Sequence, residues 1–452
     1  MQSDISPLKG IFRSLVVLAI PIVCQNFITY AVTLADKLMV GQLGEAAING
    51  LFMAAIIQFV LHMLLVGVES GMSVLVAQYW GRQDTESIKR LVAITIRGAL
   101  ALAAAVALVS FISPRWILSI LTSSPDAIEV GARYLRIVSP SYVFFGASLI
   151  LVMAMQKVEV VRIGLINSIV ALCVNVTLNY ALIFGNWGFP ALGVAGAAWA
   201  TLISRAIELA IVLVFVLRFD THVRMKARDF LLRDATLFRD LVRYGTPLMM
   251  GQIVWVVNKF TMRCIVGHFD PSSSAAVSIS EDLDGLMWTS TVGLAMAMGI
   301  LTGKMIGAGR VDLIRSYARR MQLVFAGIGV VCFVVVMSCK GLFTSFYNLE
   351  PATIAAANVF LTVLAFSVLG RAYQAPCLMG LVKAGGDTSF VFKNDTFWVF
   401  CWVLPSALLA RHFGAPDWVV YAFLLSDQVT KCFVAVVKIN RFRWMKNLTR
   451  AS

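Results

Sequence analysis

The sequence predicts an all-α polytopic membrane protein with twelve transmembrane helices in two pseudo-symmetric six-helix lobes. Three observations carry this. Hydrophobic residues make up 59% of the 452-residue chain and charged residues only 14%, against about 25% charged in ordinary soluble domains; the mean hydropathy is +0.83. The apolar residues gather in continuous runs of about 20 residues or more, the length a helix needs to cross a bilayer. They do not form the alternating segments of about ten residues that mark a β-barrel. Finally, the two halves of the chain repeat one another in a constant register.

Taken in order, the runs place helices at about 14–40, 46–77, 91–112, 134–155, 163–184, 192–217, 246–268, 276–303, 317–338, 353–379, 391–411 and 416–438. Several exceed the minimum for one crossing, so tilt or kinks are expected. The opening MQSDISPLKGIFRSL has no cleavable-signal pattern and leads straight into the first run, which is expected to act as its own insertion signal.

The basic residues alternate by loop. Lys9 and Arg13 precede the first helix. Arg82, Lys89, Arg90 and Arg97 fall in the second loop, Lys157 and Arg162 in the fourth. Arg218 to Arg243 fall in the sixth, Lys304 to Arg320 in the eighth, Lys383 and Lys393 in the tenth, and Lys438 to Arg450 in the tail. The opposite loops hold only Arg115, Arg133, Arg136, Lys340 and Arg411. The positive-inside rule then puts both termini in the cytoplasm of a multi-pass cytoplasmic (inner) membrane protein. The net charge of +14 is read as this topological signal and as a match to anionic lipid headgroups, not as a nucleic-acid footprint. None of the eight cysteines forms a CxxC pair, so they are expected to be small core residues, not metal ligands or disulfides.

The repeat is read in two stretches. IPIVCQNFITYAVTLADKLMVGQL (20–43) resembles TPLMMGQIVWVVNKFTMRCIVGHF (246–269), and GVESGMSVLVAQYWG (67–81) resembles GLAMAMGILTGKMIG (293–307). Pro21 matches Pro247, Gly41 matches Gly267, Gly67 matches Gly293, Gly81 matches Gly307 and Lys157 matches Lys383, each 226 positions apart (247 − 21). An even number of spans separates the equivalents, so the repeats run parallel about an axis along the membrane normal, a design common among transporters. Domains are expected at 1–217 and 246–452, joined by a charged, amphipathic cytoplasmic linker at 218–245.

Charges inside the spans are the candidates for function, since each costs about 2.5–3.5 kcal/mol at membrane depth on insertion scales. Arg205 with Glu208 and Asp427 with Lys431 sit three and four apart, which suits neutralising pairs on one helix. Asp36 differs. Its neighbour Lys37 lies about 100° round the helix and no basic residue stands three or four positions away, so it needs a partner from another helix, a cation or a proton. Asn175 and Asn179, one turn apart, and Thr201 offer hard oxygen ligands of the kind Na⁺ accepts. The plainer reading is interhelical hydrogen bonding.

Several stretches now resemble the multidrug and toxic compound extrusion (MATE) family: Pro21, Asp36 and VGQLG (40–44); VLVAQYWG (74–81) with its echo ILTGKMIGAG (300–309); NVTLNYALIFGNWGFPALGVAGAAWAT (175–201); and LVKAGGDTSF (381–390). The resemblance covers nearly the whole chain. It implies a V-shaped pair of six-helix bundles that exports amphipathic, often cationic, small molecules in exchange for Na⁺ or H⁺. It implies cation coupling at Asp36 beside Asn175, Asn179 and Thr201. Some members carry Asp where this chain has Asn179. Acids that members carry in the seventh or tenth helix fall here on Trp255 and Arg371, so a second-lobe Na⁺ site of that type is not expected. The eighth-helix acid is matched by Asp284.

Asp284, Arg371, Lys259 and Asp395 are therefore expected to form a charge network facing the cleft. Its mixed sign also points to zwitterionic or anionic substrates. Tyr30, Phe59, Met63, Trp255, Met287 and Trp288 are candidates for an adaptable apolar cleft, though each also suits ordinary helix packing. No cofactor beyond the coupling ion is expected, and the protein is expected to act as a monomer and not as an enzyme. The rivals are a lipid-linked precursor flippase of the same superfamily and an intramembrane transferase. The flippase often has more spans or an Arg-rich cavity. The transferase needs clustered acids or His at depth, whereas His62, His222, His268 and His412 are scattered.

Overall fold

In the computed structural model, which describes residues 7–345 and 350–450, each predicted span is largely helical, with non-helical turns at 139–140 and 425–426. The elements are α1 (Pro7–Gly41), α2 (Glu45–Gly81), α3 (Thr85–Ile112), a short α4 (Pro114–Leu121), α5 (Pro125–Val138), α6 (Ser141–Lys157), α7 (Arg162–Phe184) and α8 (Val194–Val214). They continue with α9 (Ala235–Val266), α10 (Pro271–Gly307), α11 (Val311–Ser345), α12 (Pro351–Ala375), α13 (Thr388–Phe397), α14 (Leu404–His412), α15 (Asp417–Leu424) and α16 (Asp427–Asn440). Among the described residues, nine helices are long and apolar enough to cross a membrane, or ten with α5 and α6 counted as one span bent by 55°. Two of the twelve expected spans fall below that apolarity. One is α9, which carries Asn258, Lys259 and Arg263; the other, 388–412, carries Lys393, Asn394 and Asp395.

The departures from the predicted limits have local causes. The fourth span bends where Pro140 lacks a backbone N–H for the helix ladder. The tenth passes from α12 into a π-helical turn at Pro376–Val382, and the eleventh is split by another at Trp398–Val403. Helix α9 begins at Ala235, well before the predicted residue 246, because Asp234 accepts the backbone N–H of Thr236 (2.9 Å) and Leu237 (3.0 Å) as a cap. The bond from Leu237 and the Arg90 guanidinium at 3.1 Å hold the Asp234 carboxyl below the usual range. The 218–245 segment is thus partly helix and partly a folded strap: Asp220 accepts three backbone N–H groups (His222, Val223, Arg224), and Val223 and Met225 are buried.

The described chain divides into two compact units. One joins α1 up to Val23 with the described residues from Met250 onward; the other runs Cys24–Met249. The divisions fall inside α1 and α9, just after Pro21 and Pro247, and not in the 218–245 segment.

Burial follows helical period in both units. In α11, Ile314, Tyr317, Ala318, Met321 and Phe325 are buried, whereas Leu323, Val330, Val331 and Val334 are exposed. An exposed face this apolar suits lipid contact. The core of the first unit centres on α12, where Ala357, Phe360, Leu361, Leu364 and Val368 pack with Val403, Tyr421 and Leu424. Apolar surroundings on both sides also explain a correction. The cysteines were expected in the core, yet only Cys377 is buried; Cys24, Cys173, Cys264, Cys339 and Cys401 are exposed. A thiol fits the lipid face as well as a packed interior.

A second strap closes the unit that contains α12. Trp444, fully buried, lies against Gly385, where any Cβ would overlap its ring. Lys446 donates its backbone N–H to the Gly385 carbonyl (2.8 Å). Asp387 accepts Lys438 at 2.6 Å and Lys446 at 2.8 Å.

Candidate functional site

Helix α7 turns one polar seam inward. Asn167, Ala171, Asn175, Asn179 and Ile183, four apart, are all buried, as one helical face requires. Helix α8 docks tightly on α7 because Gly196 has no side chain: a Cβ there would overlap the Leu182 carbonyl. Small residues at such contacts let membrane helices approach closely.

The seam meets Asp36 near the end of α1. The Asn179 side-chain nitrogen donates to Asp36 Oδ1 at 2.6 Å and to Asn175 Oδ1 at 3.1 Å. The amide orientation follows from the chemistry, since a carboxylate needs a donor. It leaves Asn179 Oδ1 buried without a partner. Among the described residues, no Lys, Arg or His forms an ion pair with Asp36, and Lys37 is exposed. The third expected ligand stands aside: Thr201 donates its hydroxyl to the Ala197 carbonyl one turn back in α8 (3.0 Å).

Two neighbours lay outside the predicted set. The buried Tyr134 hydroxyl reaches Thr201 and lies in the field of Asp36. Arg205 is close enough to act electrostatically on Asp36. Its guanidinium, however, pairs with Glu208 (2.8 Å) and sits 4.7 Å above the Phe145 ring, which His62 meets edge-on at 5.5 Å. Sequence spacing showed the Arg205–Glu208 pair but not that it faces the acid. Nothing in the periodicity singled out Tyr134.

In the other unit the predicted charge network separates into three parts. Arg371 pairs with Asp284 and stands 5.5 Å over the Trp288 ring. Asp395 instead joins Lys431 (2.9 Å), which also holds Asp427 (2.9 Å). Lys259 lies 5.9 Å from the Trp255 ring centroid. Among the described residues, no ion pair links Lys259 or Asp395 to Asp284 or Arg371. The split follows from helix faces: Arg371 continues the buried α12 stripe of Leu361, Leu364 and Val368, and Asp395 on α13 meets α16.

The six apolar candidates are all half-buried. Trp255 and Trp288 stack at 6.5 Å with planes 20° apart. Met287 packs on the core of its unit. Tyr30 on α1 and Phe59 and Met63 on α2 belong to the other unit.

Comparison with known proteins agrees with this architecture. The MatE family model matches residues 21–181 and 247–394, two segments whose starts repeat the 226-residue register. "Probable multidrug resistance protein YoeA" of Bacillus subtilis (strain 168) is 24% identical over 430 residues, covering 92% of each chain. Among solved structures, the Vibrio cholerae MATE transporter VcmN in the bent form superposes with a TM-score of 0.85 at 18% identity, covering 96% of this chain and 97% of that one. A MOP superfamily transporter from Pyrococcus furiosus Vc1, whose binding pocket is described as reversed in polarity, gives 0.87 at 16% identity, covering 99% and 100%. With more than half its length matched in two copies of one family model, an all-helical fold shared with solved family members, and an acid set against a buried asparagine seam, this chain belongs to the MATE family of membrane transporters, not to the enzymes.

Proposed function

We propose that this protein is a secondary active multidrug exporter. It exchanges amphipathic, cationic small molecules for Na⁺ or H⁺ by alternating access, as a monomer in the cytoplasmic membrane with both termini cytoplasmic. The curated relatives named as multidrug resistance proteins support the substrate class. The observation that carries the coupling is the Asp36 carboxylate. It accepts the Asn179 amide, has no ion-pair partner among the described residues, and stands beside the orphaned Asn179 oxygen.

A carboxylate in such surroundings gains most from a cation or a proton. Na⁺ at Asp36 takes the two asparagine oxygens as further hard ligands; a proton neutralises the acid and frees Asn179. Either species shifts the balance between two packings only through its different affinity for them. Pro21, which removes one rung of the α1 ladder, supplies a bending point.

The test is dye export from proteoliposomes under an imposed Na⁺ or pH gradient. Acceleration by one gradient identifies the ion, and its loss in Asp36→Asn assigns that ion to Asp36. Equal rates with and without both gradients, or a wild-type rate in Asp36→Asn, overturn the reading.

A further inference from the structure

The span ends opposite the basic-rich segments carry only five basic residues: Arg115, Arg133, Arg136, Lys340 and Arg411. Three of these are answered within the protein. Arg411 meets Asp417 at 3.0 Å, Lys340 donates to the Thr362 hydroxyl at 3.1 Å, and Arg115 forks onto both oxygens of Glu129 at 3.0 Å each. Arg133 and Arg136 differ. Both are exposed and, among the described residues, neither side chain forms an ion pair or a hydrogen bond. Glu129 stands four positions before Arg133, the spacing of a helical ion pair, but Arg115 has already taken it.

The two unanswered arginines share a cavity. With Arg115, Glu129, Ala132 and Ile137 they line a space of about 240 Å³ where α4 meets α5. Three guanidinium groups against one carboxylate leave two positive charges over. Glu129, Arg133 and Arg136 follow one face of α5, so Arg136 lies about 10 Å along the axis from the Arg115–Glu129 pair. The level is that of a membrane interface. Trp116 follows Arg115 on the exposed face of α4, Ile120 comes one turn later, and α3 ends in the exposed Phe111 and Ile112. Tryptophan beside apolar surface marks the headgroup layer. That layer is about 5–8 Å thick on each side of the hydrocarbon, so the column of arginines runs its full depth. A lone guanidinium at the hydrocarbon edge is unfavourable, and the anion that the layer offers is phosphate.

We propose that this cavity binds the phosphodiester headgroup of an anionic phospholipid, in the leaflet opposite the one that meets the termini. A planar guanidinium presents paired N–H donors that match two phosphate oxygens. Two surplus positive charges favour a lipid with net negative charge over a zwitterionic one. The proposal takes from the exporter reading only which leaflet this is; binding depends on neither transport nor coupling. Arg133 is followed directly by the buried Tyr134, whose hydroxyl reaches Thr201 beside the Asp36 seam. A lipid on the outward face of α5 therefore holds the helix that lines the candidate coupling site.

Native mass spectrometry of the delipidated full chain in detergent, titrated with cardiolipin, phosphatidylglycerol or phosphatidylcholine, tests this without substrate or gradient. Failure of export therefore leaves the result intact. Wild type is expected to hold cardiolipin, with its two phosphodiesters, most tightly and phosphatidylcholine least. Arg133→Gln combined with Arg136→Gln should weaken one high-affinity cardiolipin event about tenfold and leave phosphatidylcholine unchanged. Arg239→Gln, an exposed charge at the start of α9, should leave that event as it is. Glu129→Gln frees Arg115 and should tighten cardiolipin, an effect of opposite sign that misfolding does not produce. Since neither arginine makes an ion pair, the double variant should keep the wild-type melting temperature without lipid and lose most of the rise that cardiolipin gives. Millimolar inorganic phosphate, at constant ionic strength, should not displace the lipid. Displacement by phosphate assigns the cavity to a soluble anion and overturns the proposal. So does an unchanged double variant, an equal loss in Arg239→Gln, or weaker binding in Glu129→Gln.

Discussion

At Asp36, one carboxylate, two asparagines and an orphaned amide oxygen come together, and this is where the proposed coupling cation would bind. Adding Asp at position 179 doubles the negative charge, so Asn179→Asp is expected to strengthen dependence on the coupling cation, measured as a lower half-saturating Na⁺ or H⁺ concentration for export. Arg371 offers the opposite case, a buried cation with a single carboxylate partner. Arg371→Gln leaves Asp284 half-buried and unpaired, for a loss of about 3–5 kcal/mol; adding Asp284→Asn should recover much of it, measured by thermal or denaturant unfolding. The meeting of Asp36, Asn175 and Asn179 was legible because a lone acid in an apolar run and two asparagines one turn apart are local signals. Which lysine meets Asp395, and that Thr201 bonds within its own helix, depend on how helix faces rotate in the bundle. Spacing along one helix does not record that.

Among the elements, α8 on α7 shows how a site is positioned from behind. Gly196 sets the approach of the two helices at the Leu182 carbonyl. Gly196→Ala is expected to push α8 outward, with a loss of about 1–3 kcal/mol and weaker coupling although no ligating residue changes; melting temperature and ion dependence together check it. The cap of α9 is a smaller device. Asp234→Ala should cost about 0.5–2 kcal/mol and raise hydrogen exchange in the first turn after residue 235. Span positions were legible from apolar runs because bilayer thickness imposes a length on them. The early start of α9 was not, because a cap and an ion pair extend that helix past the apolar stretch. The π-turns at 376–382 and 398–403 likewise leave no mark on hydropathy.

Across the whole molecule, pH enters stability through the Asp387 contacts that tie the C-terminal strap to its own unit. Burial pushes the Asp387 carboxyl up, but Lys438 and Lys446 outweigh it and hold the group below its ordinary value of 3.8. A carboxylate with a lowered folded-state value contributes its full stability above the ordinary range and loses it as pH falls through the folded value. The melting temperature should therefore fall below about pH 4, and Asp387→Asn should shrink that pH dependence while lowering stability at pH 7. The repeat was readable in sequence as a 226-residue register, and the same register separates the two points where the chain passes from one compact unit to the other, Val23/Cys24 and Met249/Met250. Those crossings lie inside helices, where no charged or glycine-rich segment marks a boundary.

That placement bears on dissection. Neither repeat contains a whole compact unit, because the opening half of each first helix is counted with the other repeat's helices. A cut within 218–245 leaves each fragment without a half-helix of the unit it mainly forms, so neither fragment expressed alone is expected to melt as cooperatively as the full chain.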